Sequence, residues 1–216
     1  MMVAIVGCDG AGKTSATRVL TAALAAELRV RQVDKWHVLD SERYPAYRFM
    51  SKDLPTLRRC VSDMPEVTRT LFLFWTLHGT LTPEATAGAD VVVLDGYWAK
   101  HAASEIVYSG RRDLVNALVA IMPRPDRTLL LDVDPEIAYR RRIADLSTPL
   151  VPYECGLDPA CSKEAFLRHQ EATRALLLEW CHELGWVRID ANQEPAAVAD
   201  AVSRAAGAIM AGGRSA

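Results

Sequence analysis

Short apolar runs recur along the chain, separated by longer segments of mixed polarity. Strand-like runs are predicted at 3–6, 31–34, 91–94, 128–131 and 186–189. Three of the five runs are nearly continuous in apolar residues, which is typical of strands that are buried on both faces of a parallel sheet. The spacers are long enough for crossover helices. The pattern therefore predicts an α/β fold of three layers, in which helices flank a five-stranded parallel sheet.

Helix starts are marked by capping residues. Thr82-Pro83-Glu84 and Asp134-Pro135-Glu136 each combine a cap, a proline in the first turn and a carboxylate near the positive end of the helix dipole. A long helix is predicted to follow Ser162 and to end at Gly185. The last helix is alanine-rich and is predicted from about 195 to 210.

The segment 147–162 has neither helical nor strand periodicity. It contains three prolines and follows a basic run at 140–142. A long irregular loop in a compact domain is often a lid over an active site. We predict a lid at about 140–162, with a plain surface connection as the alternative.

Composition limits the class of protein. The chain has 216 residues, is 50% hydrophobic and carries a formal net charge of −2. These values fit a single domain over 1–216 and give no general attraction to a nucleic acid polymer or an anionic membrane. No run reaches the roughly 18 apolar residues of a membrane span, and the first strand leaves no room for a signal peptide. The five scattered cysteines are typical of reduced thiols. We expect a cytoplasmic protein.

A phosphate-binding motif lies at 7–14. The residues Gly-Cys-Asp-Gly-Ala-Gly-Lys-Thr fit the pattern G-x-x-x-x-G-K-[ST], directly after the first predicted strand and before a predicted helix. In such a loop the backbone N–H groups and the helix N-terminus face phosphate oxygens. The predicted binding residues are Asp9, Gly10, Ala11, Gly12, Lys13, Thr14 and Ser15. Lys13 is predicted to stabilise the transferring phosphate, and the Thr14 hydroxyl to bind Mg²⁺.

Two carboxylates are candidates for catalysis. Asp95 ends an apolar strand, so it is expected at the sheet edge where ligands of α/β proteins bind. It is predicted to hold Mg²⁺ or to orient the acceptor, and a turn cap beside Gly96 is the alternative. Asp9 lies inside the phosphate loop, where an acid is electrostatically costly unless it serves the acceptor or its metal ion.

The basic run at 140–142 offers further phosphate ligands. Successive residues on a helix point about 100° apart, so the three arginines cannot all face one ligand. Arg140 and Arg141 are predicted to contact the transferred phosphate, and a solvated face is the alternative.

Several residues are candidates for the acceptor site. Phe72 and Trp75 belong to an aromatic cluster that is predicted either to stack on a nucleobase or to pack in the core. Trp36 follows the second predicted strand and is a candidate for lining the acceptor site.

Three segments of the chain resemble the thymidylate kinase family of P-loop nucleotide kinases. Residues 9–14 match its D-G-A-G-K-[ST] loop, 125–136 resemble its P-D-x-T-x-x-L-x-[VL]-x-P-E segment, and 92–97 resemble the strand that ends in D-R-[YH]. The resemblance implies a P-loop kinase fold, ATP as donor, Mg²⁺ as cofactor, a nucleotide-like acceptor and a homodimer packed through helices. It also implies that Asp9 lies near a sugar hydroxyl and that Tyr97 lies at the substrate site.

The chain also departs from the family pattern. Gly96 stands where the family has an arginine, and the A-D-R-x-x-H acceptor helix is not reproduced. Arg58, Arg59 and Arg69 are candidates to replace the missing charges, and a Gly96→Arg variant is predicted to gain activity on monophosphates.

These observations predict an ATP-dependent kinase of a nucleoside monophosphate or a modified nucleotide, with dTMP less favoured. The alternative is a nucleoside kinase that phosphorylates a sugar hydroxyl, because a neutral acceptor needs fewer arginines. A nucleotide-binding switch is less favoured, since the sequence has no N-K-x-D motif.

Overall fold

A five-stranded parallel sheet forms the centre of the molecule. The computed structural model describes residues 1–50 and 52–213. The strands are Met2–Gly7 (β1), Val30–Val33 (β2), Val91–Asp95 (β3), Arg127–Asp132 (β4) and Val187–Asp190 (β5). They are ordered β2-β3-β1-β4-β5, and every neighbouring pair is parallel. The predicted fold class is confirmed, and each predicted strand end lies within one residue of the observed one.

Helices connect the strands. They are Lys13–Leu24 (α1), Leu54–Asp63 (α2), Glu66–Gly79 (α3), Pro83–Thr86 (α4), Trp98–Ser109 (α5), Arg112–Ile121 (α6), Pro135–Ala144 (α7), Lys163–Glu183 (α8) and Pro195–Gly213 (α9). Short 3₁₀ turns occur at Lys35–Leu39, Pro45–Tyr47 and Pro152–Glu154. Three predicted caps are confirmed, because the side chains of Thr82, Asp134 and Ser162 accept hydrogen bonds from the first turns of α4, α7 and α8.

The helices cover the sheet in two groups. One group pairs α1 with α9, and the other pairs α5 with α8. Val3, Ile5, Val93, Leu129 and Leu131 of the central strands are buried between them. Burial of one such side chain contributes about 1.5–3 kcal/mol to the stability of the fold. Packing between the two groups of helices therefore stabilises the central strands. Within residues 1–50 and 52–213, no helix combines the length and the apolarity that a membrane span requires.

The topology places the candidate site. β1 lies between β3 and β4, so the chain leaves β1 at the point where the strand order changes direction. Ligands of open α/β sheets bind in the crevice beyond the carboxyl ends of the strands at such a point. The phosphate loop follows β1 there, and Asp95 ends the neighbouring strand β3.

The predicted lid consists of the end of α7 and an irregular segment up to α8. Its 3₁₀ turn, Pro152–Glu154, packs against α2 and α8. The Glu154 carboxylate accepts hydrogen bonds from Arg58 and Arg142, each at 2.8 Å. Tyr153 is buried beside His101 and Tyr108. The segment is therefore held against the cleft. Its role as a lid and the single-domain organisation both stay predictions.

Candidate active site

A cleft of about 590 Å³ opens at the carboxyl edge of the sheet, and most of the predicted catalytic residues line it. The predicted residues that line the cleft are Asp9, Gly10, Gly12, Lys13, Thr14, Ser15, Trp36, Asp95 and Arg141. Ala11 belongs to the same loop, but its side chain is buried beneath it. The loop after β1, the end of β3 and the end of α7 thus converge on one cavity.

The phosphate loop is shaped by glycine. Gly10 and Gly12 have φ angles of 85° and 86°, which favour glycine, and a Cβ at Gly10 would lie 2.5 Å from the Ala138 carbonyl oxygen. The N-cap residue of α1 is Gly12, which has no side chain that could cap the helix, so the first N–H groups are suited to bind an anion. Cys8 lies beneath the loop, and burial raises the pKa of its thiol to about 12. The thiol is therefore protonated, which fits a packing role.

Asp9 is a carboxylate of the cleft that lies between two lysines. Its oxygens lie 3.0 Å from Lys100 Nζ and 3.9 Å from Lys13 Nζ, and its backbone N–H donates to Gln170 Oε1 at 3.0 Å. Burial alone would raise the pKa of Asp9, but the charges of Lys100 and Lys13 outweigh it and hold the pKa well below its usual range. A carboxylate with such a low pKa is a weak base. Asp9 is thus suited to accept a hydrogen bond and not to remove a proton.

Asp95 has the opposite character. Burial raises its pKa above the ordinary value, although the charge of Lys13 and a hydrogen bond from the Thr14 hydroxyl oppose the change. Of the two predicted carboxylates, Asp95 is therefore the better proton acceptor.

Thr14 and Asp95 fit a magnesium ion. One hydroxyl and one carboxylate face the cleft, and they are in hydrogen-bond contact with each other. Across the described ranges, no group of three or more His, Cys, Asp or Glu side chains is arranged to hold a metal. Mg²⁺ does not need such a cage, because it keeps several waters and binds through one or two protein oxygens together with substrate phosphates.

Gly96 lies directly beside Lys13. Its φ angle is 67°, and a Cβ at this position would lie 3.3 Å from Lys13 Cε. Lys13 Nζ donates to the Cys8 carbonyl oxygen at 2.8 Å. The structure therefore argues against the prediction that Gly96→Arg gains activity, because a larger residue would be strained and would displace Lys13.

We expect Gly96→Ala to lower kcat roughly tenfold, because small displacements of a positioned catalytic group are costly. Gly88→Ala is the matched control. Gly88 also has a positive φ angle, 77°, but a Cβ there has no neighbour within 4 Å. Both variants should lose about 1–2 kcal/mol of stability through backbone strain. Thermal melts and steady-state kinetics on both variants check this, and equal kcat values would contradict it.

Five predicted site residues lie away from the cleft: Arg69, Phe72, Trp75, Tyr97 and Arg140. Arg69 is only 1% exposed and pairs with Glu105. Phe72 packs against a small cluster that includes Leu73, and Leu73 lines the cleft in its place.

The other three are turned away for different reasons. Trp75 is 41% exposed and lies against Tyr47. The Tyr97 hydroxyl is buried and donates to the Pro123 carbonyl oxygen at 3.0 Å. Arg140 is exposed on α7. The geometry of these residues gives no contact with a ligand in the cleft.

Several groups that line the cleft were missed by the sequence analysis, among them Lys35, Lys100, His101 and Glu154. Arg58, a candidate for the missing charge, and Arg142, part of the basic run at 140–142, also line it. Lys35 follows β2, and Lys100 lies five residues after the end of β3. Their positions shortly after strand ends are the sequence feature that could have identified them as cleft residues. Arg59, by contrast, is exposed and does not replace a cleft charge.

Comparisons with known proteins agree with the fold. No protein-family model matches the sequence. A probable thymidylate kinase of Archaeoglobus fulgidus is 34% identical over 149 residues, which are 65% of this chain and 68% of the relative. The thymidylate kinase of Xylella fastidiosa is 34% identical over 164 residues, 69% of each chain. A thymidylate kinase of Xanthomonas oryzae pv. oryzae is 34% identical over 151 residues, 65% of this chain and 60% of the relative. The chain belongs to the thymidylate kinase family and is a kinase, a phosphotransferase.

Proposed function

We propose that the protein transfers the terminal phosphoryl group of Mg·ATP to the phosphate of a nucleoside monophosphate. The observation that carries this proposal is the second set of cations in the cleft. Beyond the phosphate loop, the lysines Lys35 and Lys100 line the same cavity as Lys13. One polyphosphate tail accounts for Lys13 and the loop. Because Lys100 pairs with Asp9 at 3.0 Å, the additional charge comes from Lys35, and it suits an acceptor that is itself an anion. The relatives' name, thymidylate kinase, agrees with such an acceptor.

The donor side follows from the loop geometry. The loop amides and the N-terminus of α1 bind the phosphates of ATP, and Lys13 stabilises the charge on the transferring group. Thr14 and Asp95 would hold Mg²⁺, which would neutralise charge on the phosphates. Arg141 and Arg142 border the cleft from α7.

The acceptor side needs little proton chemistry. A phosphate monoester has a second pKa near 6, so its attacking oxygen is already anionic at neutral pH and needs no general base. Asp9 is suited to orient the acceptor, because it is ionised and accepts hydrogen bonds. Positioning and charge neutralisation then supply the rate enhancement, as is usual for phosphoryl transfer.

A nucleoside kinase is the second candidate. Gly96 favours this second candidate, because glycine has no guanidinium group that could hold a monophosphate. A sugar hydroxyl would need a base, and Asp95 with its raised pKa would be the group for that task.

Coupled ADP release, measured with a panel of nucleosides and their matching 5′-monophosphates, separates these functions. We expect turnover with one or more monophosphates and none with the parent nucleosides. Turnover with nucleosides alone would establish the second candidate instead. ADP release that does not depend on any acceptor would indicate a nucleotide-hydrolysing switch.

Cytoplasmic location and a homodimeric state are separate parts of the proposal. Cell fractionation tests the first, and light scattering of the purified protein tests the second.

A further inference from the structure

Lys35 is a cleft cation without a carboxylate partner. It begins the 3₁₀ turn that follows β2, and its Nζ lies 3.2 Å from His101 Nε2 and 4.9 Å from the centre of the Trp36 ring. In the described part of the chain, it forms no ion pair within 4 Å, whereas Lys100 pairs with Asp9 at 3.0 Å. A charge that is partly removed from water and unpaired is costly unless a ligand supplies the opposite charge.

The other cations of the cleft already have partners. Arg58 and Arg142 share the Glu154 carboxylate, and Lys13 lies beside Asp9. Arg141 donates to two carbonyl oxygens, those of Ala191 and Gln193. Among the described residues that line the cleft, Lys35 is thus the cation whose only recorded polar partner is a neutral ring.

We propose that Lys35 binds the phosphate of the acceptor and so determines that the acceptor is a monophosphate. This inference rests on the proposed function. In this assignment, Lys35 in the turn after β2 provides the positive charge for the acceptor phosphate. The position after β3 provides none, because it is occupied by Gly96.

The surroundings of Lys35 give this assignment a measurable signature. The charged and titratable groups that face it are Asp9, Lys13, Asp34, Asp95, Lys100 and His101. Burial lowers the pKa of Lys35 to about 7, and the charge of Lys100 adds to this effect against Asp34 and Asp9. Burial also lowers the pKa of His101 well below its usual range, so its ring is neutral and Nε2 is able to accept from Lys35.

Binding of a phosphate at Lys35 therefore takes up protons. Without a ligand, the lowered pKa leaves part of the population with a neutral Lys35 amine at pH 7. A bound anion favours the ammonium form and raises the pKa. Affinity that depends on Lys35⁺ is complete below pH 7 and falls as the pH rises above it.

Kinetics of Lys35 variants give the first test, with the monophosphate that is turned over fastest in the acceptor panel. We expect Lys35→Met to raise KM for this monophosphate about 10- to 100-fold, the range for a lost hydrogen bond between charged groups, with KM for ATP unchanged. Lys35→Arg keeps the charge and should restore most of the affinity. Lys52→Met, at an exposed lysine outside the cleft, is the control.

Calorimetric titration gives the second test. The donor site is saturated with magnesium and a non-hydrolysable ATP analogue, and the same monophosphate is titrated at pH 7 in buffers of different ionisation enthalpy. The wild type should take up a fraction of a proton more than Lys35→Arg, because arginine stays protonated at this pH. Protons from the phosphate itself contribute equally to both proteins and cancel in the difference.

The outcomes separate the two proposals. If the wild type turns over nucleosides only, the proposed function fails, and this inference fails with it. If the wild type uses a monophosphate but Lys35→Met keeps its KM, or Lys35→Arg takes up the same protons, only the assignment of Lys35 is overturned.

Discussion

Replacing Lys13 with alanine is expected to reduce kcat by roughly 10²–10³-fold, the range seen when one charge-stabilising donor is lost from an active site. Lys13 Nζ is held at the floor of the cleft by the Cys8 carbonyl oxygen at 2.8 Å. From there it contributes a positive charge that no loop amide replaces. The loss should appear in kcat, because the charge on the phosphate oxygens rearranges during transfer.

The same variant should fold normally. Without Lys13, the Asp9 carboxylate keeps its ion pair with Lys100 at 3.0 Å, so no buried charge is left alone. Arg18→Ala is the control, because Arg18 is exposed on the same helix and does not line the cleft. Steady-state kinetics and thermal melts of both variants are the measurements. Near wild-type kcat in Lys13→Ala would show that the donor site lies elsewhere.

The second large effect is expected in stability. Glu105 is fully buried on α5, and its Oε1 accepts from Arg69 Nε at 2.9 Å while its Oε2 accepts from the Thr70 hydroxyl at 2.6 Å. Arg69 also lies over the ring of Tyr108 at 4.8 Å. Glu105→Leu would leave a buried guanidinium without its counter-charge. We expect a loss of about 3–5 kcal/mol in the free energy of unfolding, which corresponds to a Tm lower by roughly 6–20 °C.

A double variant separates the ion pair from packing. Arg69→Met with Glu105→Leu removes both charges and is expected to recover most of the lost stability, because an apolar pair of similar volume needs no desolvation. Glu136→Gln is the matched surface control, since Glu136 pairs with Lys163 at 2.9 Å and both are about half exposed. That change should cost less than about 1 kcal/mol. A single Glu105→Leu variant as stable as the control would refute the argument.

The fold was predictable because its main signals are local. The apolar runs of the sheet, the caps at Thr82, Asp134 and Ser162, and the glycines of the phosphate loop act through neighbours in the chain. For these features, short-range backbone geometry and burial on both faces of the sheet point to the same structure.

The pairing of charges was not predictable, because it joins residues that are far apart in the sequence. Asp9 pairs with Lys100, and Glu154 pairs with Arg58, in both cases across different elements. A pattern within one helix also does not reveal which face meets the cleft. On α3, the apolar stripe fits several orientations, and packing puts Leu73 at the cavity in place of Phe72.

Gln170 connects the phosphate loop to the segment that is predicted to form the lid. Its amide is fully buried on α8, where Oε1 accepts from the Asp9 backbone N–H and Nε2 donates to the Glu154 carbonyl oxygen at 2.8 Å. If the 152–154 turn moves away to let a product leave, the hydrogen bond from Gln170 Nε2 to the Glu154 carbonyl oxygen must break. Because the amide is buried, this bond breaks before water can reach the amide and replace it. We therefore expect the breaking of this bond to add a barrier to the departure of products.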